Sequence, residues 1–197
     1  MKKIISFVWF CSLAISFASC DQKEEETASI LPNVEATMER TFDYLGSEET
    51  DRMVYTLSLS EMQLLSDDDR LEVMFAPTKP VRKDAIVFNI RKTDLKNGYV
   101  GTYSLKSLST NKSGKAELTY YHYHNKTSSN ALFSVGNQME GNFEIKTYNA
   151  STGLASGSYV VNIKNVTDPT AYETNPSTPR KCDIILRGEF NNLKLKK

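Results

Sequence analysis

The sequence predicts an all-β fold, an antiparallel β-sandwich or barrel-like sheet of about nine or ten short strands. Three observations lead there. Apolar and polar positions alternate in run after run, as where Met53, Tyr55, Leu57 and Leu59 alternate with Val54, Thr56 and Ser58, the pattern of a half-buried strand. Turn-forming residues separate these runs at short, regular spacing. No stretch carries an apolar stripe at helical spacing for longer than a turn or two. Alternation in place of continuous apolar runs also argues against a parallel sheet covered by helices.

Taken in order, the first element spans Ala36 to Leu45. Val34, Met38 and Phe42 would share a helix face, whereas Met38, Arg40, Phe42 and Tyr44 would share a strand face. The strands that follow favour the second reading. Gly46 to Asp51 is a polar turn before the Met53–Leu59 strand. Ser60 with Gln63 is placed to cap one helical turn carrying Met62, Leu64 and Leu65. Asp67-Asp68-Asp69 reads as a solvated turn, because a calcium loop alternates its acids and carries a glycine. Leu71, Val73 and Phe75 mark the next strand, closed by Pro77 and Pro80, which cannot donate into a ladder.

Ile86, Phe88 and Ile90 form another inward row. Asn97-Gly98 is a strong turn signal, and Tyr99, Tyr103 and Leu105 continue the row beyond it. After a polar loop from Ser107 to Gly114 comes the most aromatic stretch, Glu117 to His124. Phe143 and Ile145 alternate with Glu144 and Lys146, and Tyr159, Val161 and Ile163 return after the turn Asn149 to Gly153. The link Thr167 to Lys181 holds Pro169, Pro176 and Pro179, so it is no central strand. Ile184, Leu186 and Phe190 form the last inward row before a basic end, Lys194-Leu195-Lys196-Lys197.

The amino terminus carries a different signal. Met1-Lys2-Lys3 precedes an uncharged apolar stretch from Ile4 to Ala18, shorter than the roughly 20 residues of a membrane-spanning helix and suited to a signal peptide. Phe17-Ala18-Ser19-Cys20 resembles the motif at which bacterial lipoproteins are cleaved and acylated, with phenylalanine where leucine or valine is usual. That resemblance implies a signal peptide over 1–19 and a lipid on Cys20; two or more acyl chains anchor stably, at about 0.8 kcal/mol per buried CH₂. The following Lys23-Glu24-Glu25-Glu26 resembles the lysine-plus-acidic signal that exports lipoproteins of Bacteroidetes-type bacteria to the outer face of the outer membrane. The alternative is an acidic spacer on a protein that stays at the periplasmic face. Residues 20–35 are expected to form a flexible tether, and 36–197 a single ectodomain.

Removal of residues 1–19 leaves 178 residues, with 22 basic and 24 acidic side chains, enough for one sizeable core. A balance so near neutrality gives no electrostatic footprint for nucleic acid. Of the three cysteines, Cys11 leaves with the leader and Cys20 is acylated, so Cys182 is left without a partner for an intramolecular disulfide. Its parity with Ile184 and Leu186 predicts a buried, inert thiol.

A second resemblance covers roughly residues 85–195. Gly98-Tyr99-Val100-Gly101-Thr102-Tyr103, Gly141-Asn142-Phe143, Gly157-Ser158-Tyr159 and Gly188-Glu189-Phe190 are similar to an uncharacterised family of Bacteroidetes lipoproteins whose late strands open with glycine and then an aromatic. It implies an all-β extracytoplasmic domain and brings no catalytic residues.

Two local features could carry chemistry. His122 and His124 are the only histidines; at i and i+2 of a strand they share a face, about 6.6–6.8 Å apart. That spacing would let both bind zinc if another strand supplied a carboxylate. Tyr120, Tyr121 and Tyr123 flank them, and tyrosine suits a contact surface, so Tyr120, His122 and His124 define a candidate binding face. Nucleophile-elbow, zinc-protease, phosphate-loop and dinucleotide motifs are absent from the sequence. The expected function is therefore that of an outer-membrane-anchored lipoprotein with a binding or accessory role toward a glycan, peptide or protein partner, without a cofactor and without catalysis. A small metal-dependent hydrolase using His122 and His124 is one alternative. A structural subunit assembling through a sheet edge is another.

Overall fold

Burial alternates along the strands much as the sequence predicts. The computed structural model describes residues 33, 35–78, 83–95, 98–111, 113–125, 128–171 and 177–196. Eleven strands lie among them: β1 (Glu35–Tyr44), β2 (Thr50–Leu57), β3 (Met62–Ser66), β4 (Arg70–Phe75), β5 (Asp84–Arg91), β6 (Gly101–Ser104), β7 (Ala116–Tyr123), β8 (Ser129–Phe133), β9 (Met139–Asn149), β10 (Leu154–Thr167) and β11 (Lys181–Lys196). The all-β class holds. Cys20 and Lys23 to Glu26 lie outside the described residues.

Several boundaries differ from expectation, each for a local reason. The helical turn is a 3-10 turn at Leu59–Glu61, and Met62–Ser66 is a strand. The capping carboxylate is Glu61, reaching back to the Ser58 N–H at 2.8 Å, so the Ser60–Gln63 register was two residues late. β8 was not anticipated: its five residues lack alternating hydrophobicity and are half-buried or exposed. The basic end continues the last strand: Leu193 and Leu195 are buried within β11 while Lys194 and Lys196 face out. Glu35, expected in the tether, already pairs with Asn191.

β11 is the hub of the sheet. One edge pairs with β1 from Tyr44↔Cys182 to Glu35↔Asn191, and the other pairs with β10. Its last residues, Leu195 and Lys196, then pair in parallel with β3. Two leaves diverge from this strand. One comprises β6, β9, β10, β11, β1 and β2; the other runs β3-β4-β5-β7-β8. Apart from β11 with β3, the named strands pair antiparallel. A parallel bridge between Leu105 and Ala116 brings the end of β6 beside the start of β7 and makes a second seam. The architecture is thus a wrapped, mostly antiparallel open sheet, with β2, β6 and β8 as its terminal strands.

The leaves meet over aromatic rings. Phe88 of β5 lies 4.8 Å from Phe143 of β9 and 5.3 Å from Tyr159 of β10, centroid to centroid; Phe75 of β4 lies 5.2 Å from Tyr159 and 5.7 Å from Phe190. All five are essentially inaccessible, and burying each such side chain stabilises the fold by about 1.5–3 kcal/mol. Gly188 makes room for this packing. The Tyr159 ring lies across it, so that a Cβ there would sit 2.3 Å from the Tyr159 hydroxyl and 2.4 Å from the Thr37 carbonyl oxygen. Gly188→Ala is therefore expected to lower the unfolding free energy by about 1–3 kcal/mol, the usual cost of overpacking, measured by denaturant titration.

Glu61 fastens the β2–β3 connection to the segment after β4. Burial opposes its charge, but hydrogen bonds from the Thr78 hydroxyl (2.5 Å), the Ser58 hydroxyl (2.7 Å) and the two backbone N–H groups of Ser58 and Thr78 prevail. They lower its pKa from 4.5 to about 2. A depressed folded-state pKa gives stability that is full above the unfolded value and lost as pH falls through the folded one. Relative to Glu61→Gln, the unaltered protein should lose stability between pH 4.5 and about 2; parallel unfolding curves for the two proteins over that window would refute the clamp.

Candidate functional site

The polar centre of the molecule is assembled by strand parity. Arg40 sits in the inward row of β1 between Met38 and Phe42. Asp84 opens the inward row Asp84, Ile86, Phe88, Ile90 of β5. Tyr55 stands on β2, and Tyr120 and His122 on β7. All five are at most 1 % exposed. They converge on the Asp84 carboxylate. Oδ1 accepts from the Tyr120 hydroxyl at 2.5 Å and from His122 Nδ1 at 3.1 Å; Oδ2 accepts from Arg40 Nε at 3.3 Å and from the Tyr55 hydroxyl. An ionised carboxylate has about four lone-pair sites, so Asp84 is saturated, and the ionised form requires the hydrogen on His122 Nδ1.

Arg40 is held from three sides. Its Nη1 donates to the Asp51 backbone oxygen and meets the Asp51 carboxylate, both at 2.8 Å, and its guanidinium carbon lies 4.0 Å above the Phe42 ring. Phe42 also meets the His122 ring edge-on, with 5.7 Å between centroids. Burial alone would raise the Asp84 pKa. The hydrogen bond from His122, the Arg40 charge and the two tyrosine hydroxyls outweigh it and hold the carboxyl below the ordinary carboxylate range. For Tyr55 and Tyr120, burial and the adjacent carboxylate both push the phenol pKa up, so both remain hydrogen-bond donors.

Chemically this is a closed charge network joining β1 and β2 of one leaf to β5 and β7 of the other. The pairing of His122 with Asp84 has the form of a base and its orienting carboxylate, but the cluster is sealed from solvent. Comparison with protein-family models finds no match, and comparisons with curated proteins and with solved structures find none either. The site must be read from its own geometry.

The expected binding face of Tyr120, His122 and His124 is placed differently from a surface. Tyr120 and His122 lie in the interior, His124 is half-buried, and the half-exposed side of β7 carries Tyr121 and Tyr123, stacked 6.1 Å apart. His122 and His124 do share a face, their ring centroids 5.7 Å apart. Among the described residues, no group of three or more His, Cys, Asp or Glu side chains gathers as metal ligands would. Arg40, Asp84 and Tyr55 were not singled out by the sequence, although an arginine and an aspartate on two inward rows were the available signal.

Cys182 is buried, and burial together with Asp168 and Asp183 raises its thiol to about 12, far from a nucleophile's range. Of the Thr167–Lys181 link, Asp168 is buried beside Arg180, at 3.9 Å.

Two clefts lie near β7, one reaching Tyr120 and the other Glu117. One, of about 600 Å³, lies between β8 and the end of β10, with Asn130, Leu132, Gln138, Lys164 and Thr167 among its walls. The other, of about 780 Å³, lies beside the β3–β4 turn and mixes Arg70, Arg91 and Lys115 with Asp69 and Glu117.

Removing one member of a buried charge pair leaves the other uncompensated, at a cost of about 3–5 kcal/mol. Arg40→Met should show a loss of about that size in denaturant unfolding. The Arg40→Met, Asp84→Asn double variant should lose less than the sum of the two singles; strict additivity would show that the two groups are not coupled.

Proposed function

We propose that this chain is a lipid-anchored extracytoplasmic protein whose β domain binds a polar partner, a glycan, a peptide or a protein surface, and carries out no chemistry on it. The observation that carries the reading is where reactive groups stand relative to solvent. The acid–base groups around Asp84 are sealed and saturated. The open concavity at β8 instead offers amides, hydroxyls and lysine, the side chains that hydrogen-bond a polar ligand without transforming it.

The anchor rests on Phe17-Ala18-Ser19-Cys20 and the acidic stretch after it. The path of β1 accords with it. The chain enters the sheet at Glu35, opposite Asn191, and leaves β1 at Tyr44, opposite Cys182, beside the end of β10 that walls the cleft. Ten residues of strand separate the two points, roughly 30 Å. The cleft thus lies at the end of β1 opposite to Glu35, where the domain joins the residues before it. Cys20→Ala is expected to move the protein from the membrane fraction to the soluble one without altering its thermal unfolding. Unchanged membrane fractionation would refute the anchor.

A further inference from the structure

We propose that β8 is a receiving edge: an extended, uncharged polypeptide segment adds to it as a further strand within the 600 Å³ cleft. This rests on the binding role proposed above and names its ligand class.

The phase of the β7–β8 ladder decides which groups are available. Ser134 N–H donates to Leu118 O at 2.8 Å, and His124 N–H donates to Ser128 O at 3.0 Å. Antiparallel pairs alternate between hydrogen-bonded and non-hydrogen-bonded, so in the register Leu132↔Tyr120 and Asn130↔His122 those pairs are the bonded ones. Asn130 and Leu132 spend their main-chain groups on β7. Ser129, Ala131 and Phe133 direct theirs the other way. The Phe133 oxygen is already engaged by Gly136 N–H at 3.0 Å and Asn137 Nδ2 at 2.9 Å. The N–H and C=O of Ser129 and of Ala131, with the N–H of Phe133, remain directed away from β7, and no described residue hydrogen-bonds to them.

Donors and acceptors repeated every second residue along an extended chain match one chemical partner, another extended backbone. A sugar could satisfy one or two of them but lacks the repeat. Exposed strand edges are ordinarily blunted by charge, proline or a bulge. Of the other terminal strands, β2 carries Asp51 and Arg52, and β6 is bridged to the start of β7 through Leu105 and Ala116; the sequence of β8, Ser-Asn-Ala-Leu-Phe, carries neither charge nor proline. The middle of the edge, at Ala131, is also recessed. Across the cleft stands the end of β10, and Asn130 Nδ2 bridges to the Pro169 oxygen at 3.1 Å. On that wall Lys164 pairs with Asp183 at 2.9 Å and Asp168 with Arg180 at 3.9 Å, while Lys181 donates to the Thr167 hydroxyl at 3.2 Å. Most of its charge is thus matched, which favours a neutral segment over a charged one.

The test uses the full-length chain in detergent and three probes: a short acetylated peptide of alternating threonine and valine, the same peptide N-methylated at alternate residues, and maltoheptaose. Residue-resolved amide exchange is the readout. Strand addition requires that the unmethylated peptide slow exchange at Ser129, Ala131 and Phe133 and that N-methylation abolish this. Ala131→Pro removes an outward N–H without touching the β7 ladder; it should weaken peptide binding about tenfold or more and leave thermal unfolding unchanged. Should that variant unfold, exchange in the unaltered chain decides. Equal binding of the methylated peptide overturns the inference. So does protection of these amides before any probe is added, which would mean that a second copy or another segment of this chain already occupies the edge. Maltoheptaose protecting the cleft while the peptide does not would overturn strand addition and leave the binding role standing. Binding of neither probe would count against both.

Discussion

A carboxylate taken out of water into an apolar interior costs several kcal/mol unless its charge and lone pairs are matched. Asp84 is matched on both oxygens, by Arg40 from β1, Tyr55 from β2, and Tyr120 and His122 from β7. The meeting of the two leaves depends on this arrangement. No one strand supplies all the donors, so the carboxylate is satisfied only when the hairpin of β1 and β2 has been laid against β5 and β7. The ion pair from Arg40 to Asp51 extends the same constraint outward, to a carboxylate that is 45 % exposed.

The rest of the interior works by a different principle. Phe75, Phe88, Phe143, Tyr159 and Phe190 bury area and pack ring against ring, which stabilises strongly but discriminates weakly between nearby registers. The polar cluster is directional and admits one placement. A core divided in this way gains its free energy from the aromatic half and its single geometry from the charged half. The same division leaves no reactive group of that cluster at the surface. What the open cleft at β8 presents instead is side-chain amides, hydroxyls, lysine and backbone.

Much of the architecture was legible because period-two burial is a local property. The rows Ile86-Phe88-Ile90, Tyr159-Val161-Ile163 and Ile184-Leu186-Phe190 point inward as read. What was not legible is what depends on distant neighbours. β8 lacks an apolar face of its own and exists as a strand because β7 lies beside it. The basic end, which closes the last inward row in the sequence, joins β11 only because β3 and β10 lie against it. Tyr120 and His122 read as a face for contact because tyrosine and histidine serve both surfaces and satisfied interiors; only the presence of Asp84 across the register, paired with His122 itself, decides for the interior. An inward-row arginine such as Arg40 was the clue that an anion had to be buried nearby.

The position of β11 in the chain has a consequence for how the molecule comes into being. Among the described strands the last in chain order is the one to which β1, β10 and β3 are all attached, and the first waits for a partner more than a hundred residues downstream, Glu35 for Asn191. Before β11 is present the two leaves share no strand and meet only at the bridge between Leu105 and Ala116, and the pairing of β11 with β1 is of the long-range kind that forms slowly. Until then each part otherwise pairs only within itself, β1 with β2, β6 with β9 and β10, and β3 to β8 by way of β4, β5 and β7. The wrapping of one leaf onto the other is thus a late event that local hairpins await.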